Sequence, residues 1–264
     1  MVAAGLTGCV SRSLPQQRFI QSAALTGPNF TVTLGDPQNF SFAVVGDLHV
    51  RGNAQRFKEI LQRAADEGDA FVVLLGDLVD QGDAESFQLV EDAIKEKGFQ
   101  GKVLTILGNH DVFHEGWEEY RNRFGPSHYV VTVGNSRFIA LDSADGSLAR
   151  DSVTWLQEKL NEPKPTHTFL LTHHAPVVPG IRTYLKLVSE ELSHRLMKMA
   201  SVAGVRAWFS GHYHAYVRGE VAGVTYFVAG GGGGRLMAPS PDYFYVQIRV
   251  NGNAVTDSVK TLSQ

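Results

Sequence analysis

Apolar residues along this chain come in short bursts, and most bursts break at a glycine into polar residues. Residues 41–45 (SFAVV), 70–75 (AFVVLL) and 102–107 (KVLTIL) are mainly apolar runs of strand length. Between them the period changes. Phe57, Ile60, Leu61 and Ala64 recur at helical spacing within 53–67. Phe87, Val90 and Ile94 do the same after Asp83, a residue type that caps helices. Unalternating strands interleaved with amphipathic helices predict a parallel sheet covered on both faces.

Farther along, residues 129–133 and 138–141 read as a strand pair joined through Gly134-Asn135. A helix around 155–160, a strand at 168–171 and a longer helix over 185–200 follow. The last third reads as strands at 207–209, 224–228, 243–250 and 254–261. The first half is therefore α/β and the end leans antiparallel. Residues 1 to about 30 lack any period and are rich in Ser, Gln, Ala and Gly, which reads as a tail before a single domain at 31–264.

Composition narrows the function classes. A hydrophobic content of 43% supports a sizeable core in 264 residues. A formal charge of −3 without runs of one sign argues against a nucleic-acid stripe, so no nucleic-acid partner is expected. No run is long and apolar enough for a membrane span. Cys9 is the only cysteine, so thiolate clusters and intrachain disulfides are excluded, and a metal site must use His, Asp, Glu or Asn. Leu6-Thr7-Gly8-Cys9 resembles a bacterial lipobox, although only eight residues precede Cys9 and none is basic. Two readings stay open: a signal remnant with a lipid anchor at Cys9 on an exported protein, or a chance match in a cytoplasmic one.

The glycine breaks carry the chemistry. Three strands end in Gly46-Asp47-Leu48-His49, Gly76-Asp77-Leu78-Val79-Asp80 and Gly108-Asn109-His110-Asp111. Two later ones end in Thr172-His173-His174 and Gly211-His212-Tyr213-His214. Ligands of open α/β sheets bind at the carboxyl ends of strands, so these groups should share one edge. Asp47, His49, Asp77, Asn109, His173, His212 and His214 exceed one tetrahedral site and suit two divalent ions of the Mn, Fe, Zn or Co kind. Asp77, from the middle of the motif series, is the expected bridge between them.

These five motifs, in this order, resemble the calcineurin-like metallophosphoesterase superfamily over about residues 41–214. The resemblance implies a four-layer αββα sandwich of two mixed sheets flanked by helices. It implies one metal on Asp47, His49, Asp77 and His214, and a second on Asp77, Asn109, His173 and His212, with His174 the competitor of His173. It implies catalytic His110 with Asp80 as its orienting carboxylate, and Asp111 supporting the loop. Purple acid phosphatases carry a tyrosine ligand where Asp80 stands here. Ser/Thr protein phosphatases carry Arg-Gly where this chain has Gln81-Gly82, so phosphodiesterases and general phosphoesterases are the nearer pattern.

The expected activity is phosphomonoester or phosphodiester hydrolysis on a small substrate. Two cations would neutralise the ester and supply metal-bound hydroxide for in-line attack, while His110 serves the leaving oxygen. The competing classes are a nuclease and a metal-free binding module on the same fold. Arg51 reads as a solvated loop cation, and the glycine run Gly230–Gly234 as a flexible turn near the active edge.

Overall fold

The three apolar runs become β1 (Asn39–Val45), β2 (Phe71–Leu74) and β3 (Val103–Thr105), paired in parallel with Val44 opposite Val73 and Val73 opposite Leu104. Their side chains are buried on both faces, which is why the sequence shows no alternation. Helices α2 (Ala54–Asp66) and α3 (Ala84–Glu96) cover one face with the apolar stripes described above. Asp83 caps α3 as its composition suggested, accepting the Ser86 amide at 2.9 Å. The computed structural model describes residues 13–163, 165–176, 185–238, 240 and 242–262. Cys9 and residues 177–184 lie outside the described residues.

A short 3-10 segment (His110–Glu115) and α4 (Gly116–Phe124) lead into the second sheet. That sheet contains β4 (Tyr129–Val133), β5 (Ser136–Ala140), β6 (His167–Leu171), β7 (Ala207–Ser210), β8 (Tyr216–Val221) and β9 (Val224–Ala229), in the order β4-β5-β6-β7-β9-β8. Its middle four strands are parallel and its two edges antiparallel. Helices α5 (Arg150–Asn161) and α6 (Glu190–Val202) cover its outer face. The chain then returns to the first sheet as β10 (Phe244–Asn251) and β11 (Ala254–Thr261), giving the order β11-β10-β1-β2-β3.

The two sheets face each other across an aromatic core, so the layers run helix, sheet, sheet, helix. Phe42 stacks on Phe71 at 4.9 Å and meets Phe138 edge-on at 5.2 Å, tying one sheet to the other. Each such fully buried phenylalanine contributes roughly 1.5–3 kcal/mol of burial energy. This rigid double sheet is the platform from which the strand-end loops project. No helix among the described residues is long and apolar enough to cross a membrane.

Three elements differ from the sequence-based expectation. Residues 14–23 form α1 (Leu14–Ala23) inside the stretch read as a tail; its polar side chains dock on the body and so leave no clean apolar stripe. The helix expected over 185–200 starts at Glu190, because the Ser189 hydroxyl accepts the Leu192 amide and caps it there. Strand β8 was not anticipated. It is a half-exposed edge strand, turned back on β9 through Ala222 and Gly223, both with positive φ.

Candidate metal centre

The carboxyl ends of β1, β2 and β3 and of β6 and β7 lie along one edge of the double sheet. Each loop crosses that edge in a tight turn. Asp47, His49, Asp77 and His212 all adopt left-handed backbone conformations, with φ of 61°, 43°, 49° and 63°. Such conformations cost non-glycine residues on the order of 1–3 kcal/mol each and persist where surrounding bonds over-determine them. Here the His212 amide is held by both oxygens of Asp47 at 3.0 Å, and the His49 amide by the Asp77 carbonyl at 3.1 Å. Gly108 has no such freedom to change: a β-carbon there would stand 2.1 Å from the Asp77 nitrogen.

All seven expected ligands meet. Asp47, His49, Asp77 and His214 offer donor atoms within 4.8 Å of one another, as do His173, His174 and His212. The Oδ2 atom of Asp77 lies between the two sets, 3.8 Å from His49 Nε2 and 3.4 Å from His173 Nε2. Asn109 Oδ1 is 3.0 Å from His173 Nε2. Asp77 thus touches both sets, and Asn109 adjoins the second.

The donor chemistry fits cations. His173 donates from Nδ1 to the Leu75 carbonyl at 2.8 Å, and His214 from Nδ1 to the Arg235 carbonyl at 3.0 Å. In their neutral forms both therefore present a bare Nε2 to the centre. His214 Nε2 faces His49 Nε2 at 3.3 Å, and His173 Nε2 faces His212 Nδ1 at 3.2 Å. Ring nitrogens this close, beside two carboxylates, must share either a proton or a cation. Without a metal, protons take that place. Burial pulls the His173 pKa down, but the Asp77 carboxylate outweighs it and pushes it up to about 9. Burial would raise Asp77, yet the His173 charge and hydrogen bond hold its carboxyl below the usual range. His49 is pushed below its ordinary value, chiefly by burial.

His174 is the surprise of this cluster. Its ring lies over His212 with centroids 3.8 Å apart, and its Nδ1 is buried with no hydrogen-bond partner. Burial and the neighbouring imidazoles push its pKa down to about 2, so it stays neutral. His173, rather than His174, contacts Asp77 and Asn109.

His110 stands beside the centre, its ring edge-on to His49 at 4.7 Å and its amide bonded to Asp77 Oδ1 at 2.8 Å. The Asp80 expectation needs correcting in its geometry. The group that accepts His110 Nδ1, at 2.8 Å, is the main-chain carbonyl of Asp80. The Asp80 carboxylate instead accepts the Arg51 amide at 3.1 Å and lies 3.5 Å from His49 Nδ1. The left-handed turn at Asp77 brings the carbonyl rather than the side chain to His110. Asp111 supports the loop as expected, taking the amides of Gly108, Leu78 and Val79 at 2.8–3.2 Å. Arg51 is exposed and paired with Asp83 and Glu85.

The glycine run is packed rather than flexible. Gly232 donates to the Gly46 carbonyl at 3.0 Å and Gly234 to the Asp47 carbonyl at 2.9 Å. A β-carbon on Gly234 would lie 2.3 Å from His214 Cε1 and 2.8 Å from His49 Cδ2. The run forms the wall against which the His214 and His49 imidazoles stand, and at Gly234 only glycine leaves room for them. Ser143 is a residue that sequence reasoning missed. Its hydroxyl accepts the amides of both His173 and His174, at 3.0 and 2.9 Å. The signal was present, since the apolar run at 138–141 also breaks into polar residues, Asp142-Ser143.

A family model for calcineurin-like phosphoesterases matches residues 40–216. The chain belongs to the calcineurin-like phosphoesterase family. It is a metal-dependent phosphoesterase, like other members of that family. Among curated relatives, it is 29% identical to a probable cyclic nucleotide phosphodiesterase of Synechococcus sp., over 74% of this chain and 80% of the relative. It is 29% identical to a probable glycerophosphodiester phosphodiesterase of Arcobacter nitrofigilis, over 54% of this chain and 56% of the relative. A serine/threonine-protein phosphatase of Danio rerio is 24% identical over 80% of this chain and 78% of that protein. Among solved structures, a purple acid phosphatase from yellow lupin superposes with a TM-score of 0.71 at 16% identity, covering 86% of this phosphoesterase and 52% of the lupin chain. That similarity concerns the fold.

Proposed function

We propose that this phosphoesterase holds two divalent cations and hydrolyses phosphodiesters by in-line displacement. One observation carries the reading: Asp77 Oδ2 stands between two sets of inward-facing imidazoles and oxygens, spaced for two ions that share a carboxylate. Asp47, His49, Asp77 and His214 would hold one ion, and Asp77, Asn109, His173 and His212 the other. Bound there, the cations would neutralise the ester's charge and bring the pKa of their water toward about 7. Preference for diesters is supported by the Synechococcus and Arcobacter relatives, both named as probable phosphodiesterases.

The chain's own groups do the rest. The loops lock the ligand rings before substrate arrives, so little reorganisation accompanies the reaction. His110 is tethered at both ends, through its amide to Asp77 and through Nδ1 to the Asp80 carbonyl. Its Nε2 is the free nitrogen, available to give a proton to the leaving oxygen. Asp80 positions His49 with its carboxylate and His110 with its carbonyl, so one residue aligns a ligand and the acid. Phe113, with its ring 4.9 Å from His110 and partly exposed, borders the path by which the leaving alcohol departs.

The test combines metal analysis of the purified protein with turnover of bis-p-nitrophenyl phosphate, cyclic nucleotides and glycerophosphodiesters in several divalent metals. About two ions per chain and metal-dependent diester turnover are expected. Less than about one ion with no turnover would place the chain among metal-free binding modules on this fold.

A further inference from the structure

Helix α1 precedes the residues matched by the family model, yet it sends a charged side chain into the body. Arg18 is only 5% exposed. Its Nε donates to Asp142 Oδ2 at 2.7 Å, and its Nη2 to Asp142 Oδ1 at 3.2 Å and Asp145 Oδ2 at 2.6 Å. This two-pronged grip is the strong form of an arginine–carboxylate contact. Asp142 Oδ1 also accepts the Ala144 amide at 3.1 Å, so the gripped carboxylate shapes the turn that follows β5. Between Asp142 and Ala144 sits Ser143, whose hydroxyl takes the amides of His173 and His174.

The helix is also anchored on α4, which packs with the first sheet's helices, and at the entry to β4. Gln21 accepts the indole N–H of Trp117 at 2.6 Å, and the Ser22 hydroxyl accepts the Ser127 amide at 3.0 Å. A strap therefore runs from α4, next to the His110 segment, across to the turn that holds the His173 loop. A buried ion pair is weak support for stability, because desolvating both charges offsets their attraction. What Arg18 gains is position: the turn can take few arrangements while the fork is closed.

We propose that α1 is a clamp on the metal centre, with Arg18 and Ser143 as positioning residues that fix the His173 side of it. The clamp rests on the two-cation reading. Outer groups of this kind typically govern metal affinity by about 10–100-fold. The effect should fall on the ion held by Asn109, His173 and His212, and spare the one held by Asp47, His49 and His214.

The test is calorimetric titration of manganese into the metal-free full chain, for wild type, Arg18→Met, Arg18→Lys, Ser143→Ala and the Arg18→Met/Ser143→Ala pair. Wild type should show two binding steps. In Arg18→Met and Ser143→Ala one step should weaken about 10–100-fold while the other moves less than about twofold, the usual error for independent sites. The double variant should be no weaker than Ser143→Ala, since both act through the same two amide bonds. Arg18→Lys, which keeps the charge without the fork, should fall between wild type and Arg18→Met. If Arg18→Met does not fold, Ser143→Ala and Arg18→Lys decide the matter. Two wild-type steps that persist unchanged in Ser143→Ala and Arg18→Lys overturn the clamp alone, as do single effects that multiply in the pair. Both steps weakening together overturns it too, because that is general loosening. Absence of binding to wild type overturns the two-cation reading beneath it.

Discussion

His128 should make this protein lose stability in mild acid, by an amount the structure sets. The ring is enclosed between Phe19, edge-on at 4.9 Å, and Trp155, edge-on at 5.9 Å. Its Nε2 lies 2.7 Å from the Ser152 hydroxyl and its Nδ1 3.3 Å from the Ser127 hydroxyl. Burial pulls its pKa down from 6.5 to about 4, against the pull of nearby Asp142. Below pH 6.5 the unfolded chain takes up a proton here, and the folded chain does so only near pH 4. Stability is therefore full above 6.5 and falls through the window from 6.5 to 4. A shift of about 2.5 pH units at about 1.36 kcal/mol each comes to roughly 3 kcal/mol. The perturbation is His128→Gln, which keeps hydrogen-bonding atoms and removes the titration. Urea unfolding of the metal-free proteins at pH 7.5, 6.5, 5.5 and 4.5 should show the difference between the two ΔG curves changing by roughly 2.5 kcal/mol, the part of the full shift realised by pH 4.5. Every other titrating group is common to both proteins and cancels. Curves that stay parallel would refute the reasoning, because they would mean the imidazole is protonated inside the fold as readily as outside it.

Metal uptake should expel a proton: with His173 at about 9 in the metal-free state, it is charged at pH 7 and must be neutral to ligate, so affinity should climb with pH until about 9. Calorimetry in buffers of different ionisation heat reads this directly, and uptake without proton release contradicts it. His110→Ala should lose about 10²–10⁴-fold in kcat/KM on diesters with alkyl leaving groups and far less on bis-p-nitrophenyl phosphate, whose leaving phenolate needs no proton; equal losses on both would argue against an acid role. Asp77→Asn should weaken both cations and lower turnover more than about a hundredfold, beyond what an outer group costs, as metal analysis would show. Gly234→Ala should leave the fold in place while pushing the His214 and His49 rings apart; a variant with unchanged manganese affinity would mean that the wall yields.

What the sequence made legible followed from repetition. Five apolar runs each break into Asp, Asn or His within three residues, four of them through a glycine, and parallel strands must end on one edge, so the candidate ligands could be gathered before any coordinates. The four layers came only with the resemblance those motifs carry, because strands buried on both faces predict a covered parallel sheet without saying that a second sheet does the covering. The features that escaped depend on which atom of a residue does the work. Asp80 was legible as a partner of His110, but nothing in the letters says that a left-handed Asp77 presents the Asp80 carbonyl and turns its carboxylate to His49. The glycine run looked mobile because glycine is permissive in isolation. In the fold the same lack of a β-carbon does the opposite, letting the backbone close against two imidazoles. Helix α1 escaped because its contacts are polar and distant in sequence, Arg18 reaching across 124 residues to Asp142. Hydrophobic period cannot report such a contact. The candidate ligands thus announce themselves by position at strand ends, whereas the contacts that fix their loops and rings run largely through backbone amides and carbonyls, which every residue carries and no motif records.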